Sequence, residues 1–462
     1  MGKSVVGELR EIVGDKYVLA EPEELYVYSF DASGLPPVKP LAVVLPATTE
    51  EVSAVLKLAN ERRIPVVPRG GGTGLTGAGI PVEDSIVLDL SRMNKILEIN
   101  VTSGYVFAEA GVRLDELNAE LAKYGYFLPP DPASSSVCTL GGSLAESAGG
   151  MRGLKYGTFR EWVLALEVVL ATGDVLWLGE KVTKCREGYD LVHLFVGSEG
   201  TLGIITKAAL KIWPLPEKIV RILALFDTAE DAGRAVAEIR GAGLVPLVME
   251  FLDSEVIKLV NKFAGQIIPE VGAALIIDVD GEAEVVWKHV REIEDILKKC
   301  GAVEVKCSDD PKEMERLYLA RRAAYPACLR LRPMPAVLIE DIVVPPEKLP
   351  EAVRRIKEIG RKYGRQILTF GHIGDGNIHP IAYTDPADPE HWKKTLECLD
   401  EINMMAVELG GAVSGEHGIG ILKKEALRMW LERRKSSKAL EIMRKIKEVL
   451  DPNNILNPGK VI

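Results

Sequence analysis

A pair of histidines beside a tight turn is the first feature of this chain that could carry out chemistry. Segment 370–380 reads FGHIGDGNIHP, and its Asp375-Gly376 dipeptide is a strong signal for a two-residue hairpin loop. If those two residues form the loop, His372 lies directly opposite His379, with the Cβ atoms roughly 4.5–5.5 Å apart on one face. Two imidazoles in that arrangement can share one divalent metal ion. A pair of hydrogen-bonded core histidines is the alternative interpretation.

A second motif offers the groups that such a pair lacks. In Gly415-Glu416-His417-Gly418, Glu416 could be a third ligand, and two histidines with one carboxylate suit Zn²⁺ or Fe²⁺. His417 would then lie close to a metal-bound molecule. An imidazole with an ordinary pKa of about 6.5 suits proton abstraction near neutral pH. A purely structural role for His417 is the alternative.

Three glycine-rich segments predict a second and larger ligand. The first, 68–81, reads PRGGGTGLTGAGIP, and the others are 141–157 and 197–205. Without Cβ atoms, successive backbone N–H groups can turn inward and surround phosphate oxygens. Three such segments in one part of the chain indicate a single extended ligand that threads between strands.

The first segment contains a G-x-G-x-x-G pattern at Gly72, Gly74 and Gly77, but its context excludes a Rossmann dinucleotide fold. That fold needs a helix to begin at the last glycine. Here Pro81 follows, and then the strand-like run 85–90. We therefore predict a strand–loop–strand cradle for the pyrophosphate of a flavin dinucleotide.

The elements that position these motifs predict an α+β protein. Thr48-x-x-Glu51 resembles a helix capping box, and the apolar residues after it recur at helical spacing. A long stretch of small residues, 130–157, is interpreted as a functional loop. The first part also contains strands at 64–67, 85–90, 163–171 and 175–178 and a helix marked by Leu114, Leu117 and Leu121.

The second part has the order β-α-β-β-α-β, which favours a ferredoxin-like antiparallel sheet. A strand near 337–344, a helix at 346–363 and the histidine segment extend it, and helices dominate from about 390 to 450. The six expected elements are strand 219–226, helix 228–240, strand 245–251, strand 273–278, helix 283–299 and strand 302–307.

Bulk properties narrow the function classes. The net charge of −10 argues against nucleic acid as the main partner. No apolar stretch is long enough for a signal peptide core or a membrane span, so we expect a cytoplasmic protein. None of the six cysteines lies in a C-x-x-C pair, which leaves no evident ligands for a zinc ribbon or an iron–sulfur cluster.

Taken together, these motifs resemble a known family. The matching segments are 68–81, 139–157, 197–206, 371–380, 415–420 and Asn457-Pro458-Gly459-Lys460. In order and spacing they resemble the flavin subunit of glycolate oxidase and the D-lactate and D-2-hydroxyglutarate dehydrogenases, which are flavoproteins of the vanillyl-alcohol-oxidase type. The resemblance implies an N-terminal segment (1–37), a two-part PCMH-type FAD-binding domain (38–216), a substrate-covering domain (217–410) and a C-terminal segment (411–462) that packs back on the FAD domain.

The resemblance also implies site residues. His372, His379 and Glu416 would bind the metal (Zn, Fe or Mn), His417 would be the base, and Arg321 would bind the substrate carboxylate. The residues implied to contact FAD are Pro68, Arg69, Gly70, Gly71, Gly72, Thr73, Gly74, Gly77, Pro132, Thr139, Gly142, Ser143, Gly149, Gly203, Ile204 and Asn457.

Several positions depart from the family pattern. Tyr318 replaces the tryptophan of the W-x-x-R motif that ends at Arg321, and Ser143 replaces a usual asparagine. Segment 68–81 has no histidine, so FAD is expected to be non-covalent. Tyr325 and Ile339 stand where 2-hydroxyglutarate relatives use threonine and lysine, which favours a monocarboxylate such as D-lactate or glycolate.

The resulting expectation is hydride transfer from a D-2-hydroxy acid to flavin N5, with electrons passed on to a partner protein. An iron–sulfur subunit, an electron-transferring flavoprotein or a quinone-linked protein could accept them, and a homodimer is also expected. A 2-hydroxyglutarate-type dehydrogenase, a metallohydrolase and a non-catalytic flavin carrier are the alternatives. A nicotinamide-dependent Rossmann dehydrogenase is disfavoured by Pro81.

Overall fold

Helices and strands of this chain belong to two structural units. The computed structural model describes residues 4–331 and 333–462, so the start of the expected N-terminal segment lies outside the described residues. Unit 1 comprises the chain up to Ala148, Thr158–Leu215 and Glu416–Ile462. Unit 2 comprises Gly149–Gly157 and Pro216–Gly415.

The helices, numbered along the chain, alternate with the strands as far as Thr384 and then follow one another to Leu450. They are α1 (Val5–Val13), α2 (Pro22–Val27), α3 (Thr49–Arg62), α4 (Leu114–Ala122), α5 (Leu140–Glu146), α6 (Gly153–Tyr156), α7 (Val192–Phe195), α8 (Ala229–Gly241), α9 (Ser254–Ala264), α10 (Ala283–Lys299), α11 (Pro311–Arg322), α12 (Ala324–Leu331), α13 (Leu349–Lys362), α14 (Pro389–Glu408), α15 (Lys424–Arg433) and α16 (Lys438–Leu450). Short 3₁₀ helices occur at Asp15–Tyr17, Phe159–Glu161, Pro346–Lys348 and Ile373–Asp375.

The strands are β1 (Val18–Leu19), β2 (Ala42–Val44), β3 (Val66–Arg69), β4 (Ile86–Asp89), β5 (Ile96–Asn100), β6 (Tyr105–Glu109), β7 (Tyr126–Phe127), β8 (Val163–Val169), β9 (Val175–Gly179), β10 (Ile204–Lys211), β11 (Trp213–Pro214), β12 (Lys218–Phe226), β13 (Val248–Asp253), β14 (Ala273–Gly281), β15 (Glu304–Ser308), β16 (Ala336–Ile339), β17 (Ile342–Val343), β18 (Leu368–Gly371) and β19 (Asn377–Thr384).

A mixed sheet and an antiparallel sheet form the framework of unit 1. The mixed sheet has the order β1-β2-β4-β3, in which β2, β4 and β3 run parallel. Every residue of β2 and β4 is buried, as expected for parallel strands covered on both faces. The antiparallel sheet has the order β5-β6-β10-β8-β9, and β7 pairs with β11.

The connection between β3 and β4 confirms the predicted strand–loop–strand arrangement. Residues 70–85, all of which the structure describes, contain no helix, although β3 and β4 are parallel neighbours. The C-terminal segment runs beside β3, because Val66 N donates to Ile455 O (2.7 Å) and Asn457 N donates to Val66 O (2.8 Å). The glycine loop therefore leaves a strand that is held on both sides.

An antiparallel sheet with the order β15-β12-β14-β13-β18-β19-β16 forms the framework of unit 2, and β17 also pairs with β19. Helices α8 and α10 pack on this sheet. Helix α10 buries Val286, Val290, Ile293 and Leu297, one apolar stripe at helical spacing. The predicted ferredoxin-like sheet is confirmed.

Three local expectations need correction. Helix α9 lies between the two strands that were expected to be consecutive, and Asp253 caps it by accepting from Val256 N (2.9 Å). The stretch 130–157 is not one loop, because it contains α5 and α6. At α3, Thr48 accepts from Glu51 N (3.2 Å), but the Glu51 carboxylate accepts from Ala47 N (2.7 Å), so only half of the capping box forms.

Within the described residues, no helix is both long enough and apolar enough to cross a membrane.

Candidate active site

In unit 1, the first glycine-rich segment lies at backbone distance from residues 137–139, which lead directly into the second segment. A Cβ atom on Gly71 would lie 2.5 Å from Val137 O and 3.0 Å from Cys138 Cα. A Cβ atom on Gly70 would overlap Thr139 Oγ1. Only glycine fits at these two positions without a shift of the neighbouring backbone or side chain.

The third segment closes on the same strand. A Cβ atom on Gly200 would overlap the Pro68 ring of β3, and Gly200 has a φ of +69°. Asn457 then joins the first and third segments, since its Nδ2 donates to Ala78 O (3.0 Å) and Glu199 O (2.7 Å). The first and third segments and the part of the second that belongs to unit 1 (141–148) are therefore neighbours.

This cradle fits a dinucleotide such as FAD. At Gly74 an added Cβ would meet nothing closer than 3.9 Å, so a ligand can approach the bare backbone there. Asn457 is 1% exposed, and its Oδ1 has no hydrogen-bond partner among the described residues. A buried acceptor of this kind is stabilised by a ligand that carries hydroxyl or N–H donors.

The remaining predicted FAD contacts are distributed as follows. Thr139 caps α5 by accepting from Gly142 N (3.3 Å), and Arg69 donates to Phe30 O (2.8 Å). Three of the others are buried in unit 1, namely Ser143, Gly203 and Ile204, and two are half-buried there, namely Thr73 and Pro132. Positive φ angles occur at Gly72 and Gly77. Gly149 lies in unit 2.

The predicted base, His417, belongs to unit 1 and lies in a segment that is fixed by two residues of the glycine-rich loops. Thr76 Oγ1 donates to His417 O (3.0 Å), and Thr76 O accepts from Ile421 N (2.8 Å). The Glu199 carboxylate accepts from the N–H groups of Ile419 (2.7 Å) and Gly420 (2.8 Å). The backbone at His417 and in the four residues after it is thus held by the same loops that form the cradle.

Neither Thr76 nor Glu199 was among the predicted site residues. The signal was present, since both lie within glycine-rich segments, but their contacts with 417–421 span more than 200 positions of sequence and cannot be inferred from spacing. Glu416 lies beside His417, with 3.7 Å between His417 Nε2 and Glu416 Oε1.

Two carboxyl groups near this segment have raised pKa values. Burial raises the pKa of Glu199 to about 7, against the opposing effect of its two backbone donors. Burial, followed by repulsion from Glu199 and Asp31, raises the pKa of Glu146 well above its ordinary range. Glu146 Oε2 has no hydrogen-bond partner among the described residues. The region near His417 therefore favours protonated carboxyl groups.

In unit 2, the histidine segment differs in register from the expectation. His379 pairs with Phe370 rather than with His372, and Ile373–Asp375 forms a 3₁₀ turn instead of a two-residue loop. His372 is the residue that precedes this turn, and its carbonyl accepts from Asn377 N (3.3 Å). The two imidazoles are nevertheless neighbours, with ring centroids 5.2 Å apart and ring planes at 86°.

The two rings are oriented by oxygen atoms of unit 2. His372 Nδ1 lies 2.7 Å from Glu250 Oε1, and His379 Nδ1 lies 3.3 Å from Glu340 O. His379 Nδ1 is also 3.7 Å from Asp341 Oδ1. Because the Nδ1 atom of each ring faces a protein oxygen, Nε2 is the nitrogen suited to a cation, and the pair fits a divalent metal.

Arg321, at the end of α11, shares the carboxylate that orients His372. Its Nε donates to Glu250 Oε2, and its guanidinium lies 4.8 Å from the centroid of the Phe370 ring. The Arg321 side chain is 4% exposed and that of Glu250 is 1% exposed. Burial alone would raise the pKa of Glu250, but Arg321 and His372 outweigh it and hold that pKa below its ordinary value.

Glu250 and Asp341 were not predicted. Glu250 is the acidic residue in the middle of the buried strand β13, which also ends in Asp253. Asp341 accepts from Asn377 Nδ2 (2.8 Å), Ser414 Oγ (2.8 Å) and Gly415 N (2.8 Å). An acidic residue in a buried strand is a detectable signal, because such a charge is retained only with partners. Its partners could not be identified without the fold.

Comparisons with known proteins show the family to which this chain belongs. The family model described as FAD binding domain matches residues 40–179, and the model described as FAD linked oxidases, C-terminal domain, matches residues 215–461. The glycolate oxidase subunit GlcD of Bacillus subtilis is 41% identical over 94% of this chain and 92% of its own length. A D-lactate dehydrogenase of Archaeoglobus fulgidus is 38% identical over 91% of each chain.

Solved structures support the same fold. p-Cresol methylhydroxylase with substrate bound has a TM-score of 0.81 at 20% identity, covering 99% of this chain and 96% of that one. The 4-ethylphenol oxidase from Gulosibacter chungangensis has a TM-score of 0.80 with the same identity and coverage. The expected α+β architecture with a PCMH-type FAD-binding domain is confirmed. With one family model matching more than half of its length, this chain belongs to the FAD-linked oxidases and is an FAD-dependent oxidoreductase.

Proposed function

We propose that this chain oxidises a D-2-hydroxy monocarboxylic acid, D-lactate or glycolate, to the 2-oxo acid. The observation that carries the proposal is the buried Arg321, whose Nε is held by Glu250 while its Nη atoms make no hydrogen bond to any residue that the structure describes. A guanidinium whose two Nη groups are both open suits a carboxylate. The names of the relatives support 2-hydroxy acids as the substrate class.

In this proposal Arg321 binds the substrate carboxylate, and His417 accepts the proton of the substrate hydroxyl. FAD, when bound in the cradle, supplies the acceptor for the Cα hydride. A divalent metal (Zn, Fe or Mn), held by His372 and His379 with Glu416 as the predicted third ligand, would supply positive charge that favours the ionised hydroxyl. The residues that hold the backbone of 417–421 would keep the imidazole of His417 in place during proton transfer.

A monocarboxylate is favoured over 2-hydroxyglutarate by the residues at two positions of unit 2. Ile339 is buried in β16, and neither Ile339 nor Tyr325 carries a positive charge. A second substrate carboxylate would gain no cationic partner from these two positions.

The partner proteins and the location remain predictions. Electrons are expected to pass to an iron–sulfur subunit or an electron-transferring flavoprotein, since the six cysteines are all free and scattered along the chain. The cytoplasmic location, the homodimer and the domain bounds 38–216, 217–410 and 411–462 likewise remain predictions.

The test is an anaerobic titration of the FAD-loaded protein with D-lactate, L-lactate, glycolate and D-2-hydroxyglutarate. We expect D-lactate or glycolate to bleach the flavin absorbance and L-lactate to leave it unchanged. His417→Ala should retain FAD but reduce it about 10²–10⁴-fold more slowly. His289→Ala, a histidine of α10 outside the site, is the matched control. A flavin that no 2-hydroxy acid reduces would exclude the proposal.

A further inference from the structure

We propose that Glu250 is a positioning residue that fixes the carboxylate-binding arginine and one metal-binding histidine through a single side chain. The inference rests on the proposed function, because it assigns Arg321 to substrate and His372 to metal. It adds a residue that neither the motifs nor the family comparisons single out.

The two carboxylate oxygens of Glu250 contact different residues. Glu250 lies in the middle of β13, where its neighbour on β14 is Ile276. Its Oε1 is 2.7 Å from His372 Nδ1, and its Oε2 accepts from Arg321 Nε. The side chain is almost fully buried, so both contacts are made away from water.

The contact with His372 determines which ring nitrogen can meet a cation. An ionised carboxylate only accepts hydrogen bonds, so His372 Nδ1 must carry the proton and Nε2 must carry the lone pair. Carboxylate partners of this kind orient metal-binding histidines and increase their basicity. Loss of such a partner typically weakens metal affinity by about 10–100-fold.

The contact with Arg321 determines which edge of the guanidinium meets a ligand. Since Glu250 accepts from Nε, both Nη groups, which make no hydrogen bond to a described residue, are left for a carboxylate to bind. The two predicted binding groups therefore cannot turn independently: a rotation of the Glu250 carboxylate would displace both.

A second buried arginine, Arg221 on β12, shows what a purely structural pair looks like. Arg221 donates from Nε (2.6 Å) and Nη2 (2.5 Å) to Asp278 and from Nη1 to Met314 O. All three of its nitrogen atoms are used by the protein, and no histidine contacts Asp278 in the described part of the chain. This pair is a matched control for the Glu250 cluster.

The experiment compares Glu250→Gln, Glu250→Asp and Asp278→Asn. Chelator-treated protein is titrated with Zn²⁺ in the absence of substrate, and KM and kcat are then measured for D-lactate. We expect Glu250→Gln to weaken Zn²⁺ binding about 10–100-fold and to raise KM. Glu250→Asp keeps the charge and should fall between Glu250→Gln and the wild type. Asp278→Asn should lower the melting temperature but leave Zn²⁺ affinity unchanged.

Two results would overturn the inference. One is wild-type Zn²⁺ affinity in Glu250→Gln, or in Glu250→Asp if the glutamine variant does not fold. The other is an equal loss of affinity in Asp278→Asn, which would make the effect one of general destabilisation. Failure of the proposed function is a separate result, because it would appear in the wild type as a flavin that 2-hydroxy acids do not reduce, whatever the Zn²⁺ affinities.

Discussion

Alanine substitutions at Gly71 and Gly74 distinguish two reasons for a glycine in the cradle. One is close packing within the protein, and the other is space for the cofactor. In Gly71→Ala the new Cβ would lie 2.5 Å from Val137 O and 3.0 Å from Cys138 Cα, both of which are backbone atoms. Backbone cannot move aside as cheaply as the end of a flexible side chain. In Gly74→Ala the nearest atoms, on Asp31 and Glu146, are 3.9 Å away. The protein itself has room for the second alanine.

The expected magnitudes follow from these distances. Overpacking of this kind costs about 1–3 kcal/mol, so Gly71→Ala should lower the free energy of unfolding of the apoprotein by that amount. If the strain falls on the cradle, FAD affinity should drop about 5–150-fold, because about 1.4 kcal/mol corresponds to tenfold. Gly74→Ala should unfold like the wild type but bind FAD more weakly, because its methyl group would occupy space that the cofactor needs.

The assay is urea unfolding of the flavin-free proteins, followed by titration with FAD monitored by flavin fluorescence. An apoprotein of Gly71→Ala with unchanged unfolding and unchanged FAD affinity would refute the packing of the first glycine segment against Val137 and Cys138. A Gly74→Ala protein that binds FAD as tightly as the wild type would show that the cofactor does not approach that part of the loop.

Further predictions concern acidity, buried charge and the metal. Burial raises the pKa of Glu199 from its ordinary value of 4.5 to about 7. Between these two pH values the folded protein keeps a proton that the unfolded chain loses, so the free energy of unfolding should fall as the pH rises from 4.5 to about 7. Glu146→Gln removes a second carboxyl with a raised pKa and should therefore make this fall smaller. The measurement is urea unfolding at about pH 5 and about pH 8. A fall as steep as in the wild type would contradict the raised pKa of Glu146. Arg221→Met leaves Asp278 buried without its cation and should lower the free energy of urea unfolding by about 3–5 kcal/mol. Arg428→Met removes one member of an exposed ion pair and should lower it by less than about 1 kcal/mol. Equal losses would refute the distinction between the buried and the exposed ion pair. Dialysis against a chelator should leave the flavin spectrum intact but slow flavin reduction by D-lactate, and added Zn²⁺ or Mn²⁺ should restore the rate; a rate that survives metal removal would exclude a metal role.

Sequence patterns predicted the framework because they record periodicity and backbone freedom. The loop 70–85 could be recognised as helix-free from Pro81 and the apolar run that follows, and the structure agrees. The strands and helices of unit 2 were recognised by their alternating and helical apolar spacing. Helix α9 was not predicted, although Asp253 is a good N-cap. The helix has only 11 residues, so its apolar spacing is a short signal.

The histidine segment shows where pattern reasoning failed. Asp-Gly favours a two-residue loop, but Ile373 and Gly374 are both buried, and the chain forms a 3₁₀ turn there. The register consequently shifts by two positions, from His372 to Phe370 as the partner of His379. An even shift keeps side chains on the same face, which is why the two imidazoles remain neighbours despite the wrong pairing.

The site residues that were missed act at long range. Glu250, Thr76 and Glu199 all contact residues that lie more than 100 positions away in the chain. Local spacing carries no information on such pairs. The sequence does show residues that break a local pattern, such as an acidic residue in a buried strand, and such a residue indicates that a partner must exist.

The position of Asn457 has a consequence for biosynthesis. This residue joins the loop after β3 to the segment around Glu199, yet it lies 379 positions after Ala78 and 258 positions after Glu199. A ribosome-bound chain that has already emerged past residue 215 therefore still lacks the bond that closes the nucleotide cradle. Closure of the cradle should accordingly be a late step of folding, because it requires residue 457 as well as the two loops that this residue joins.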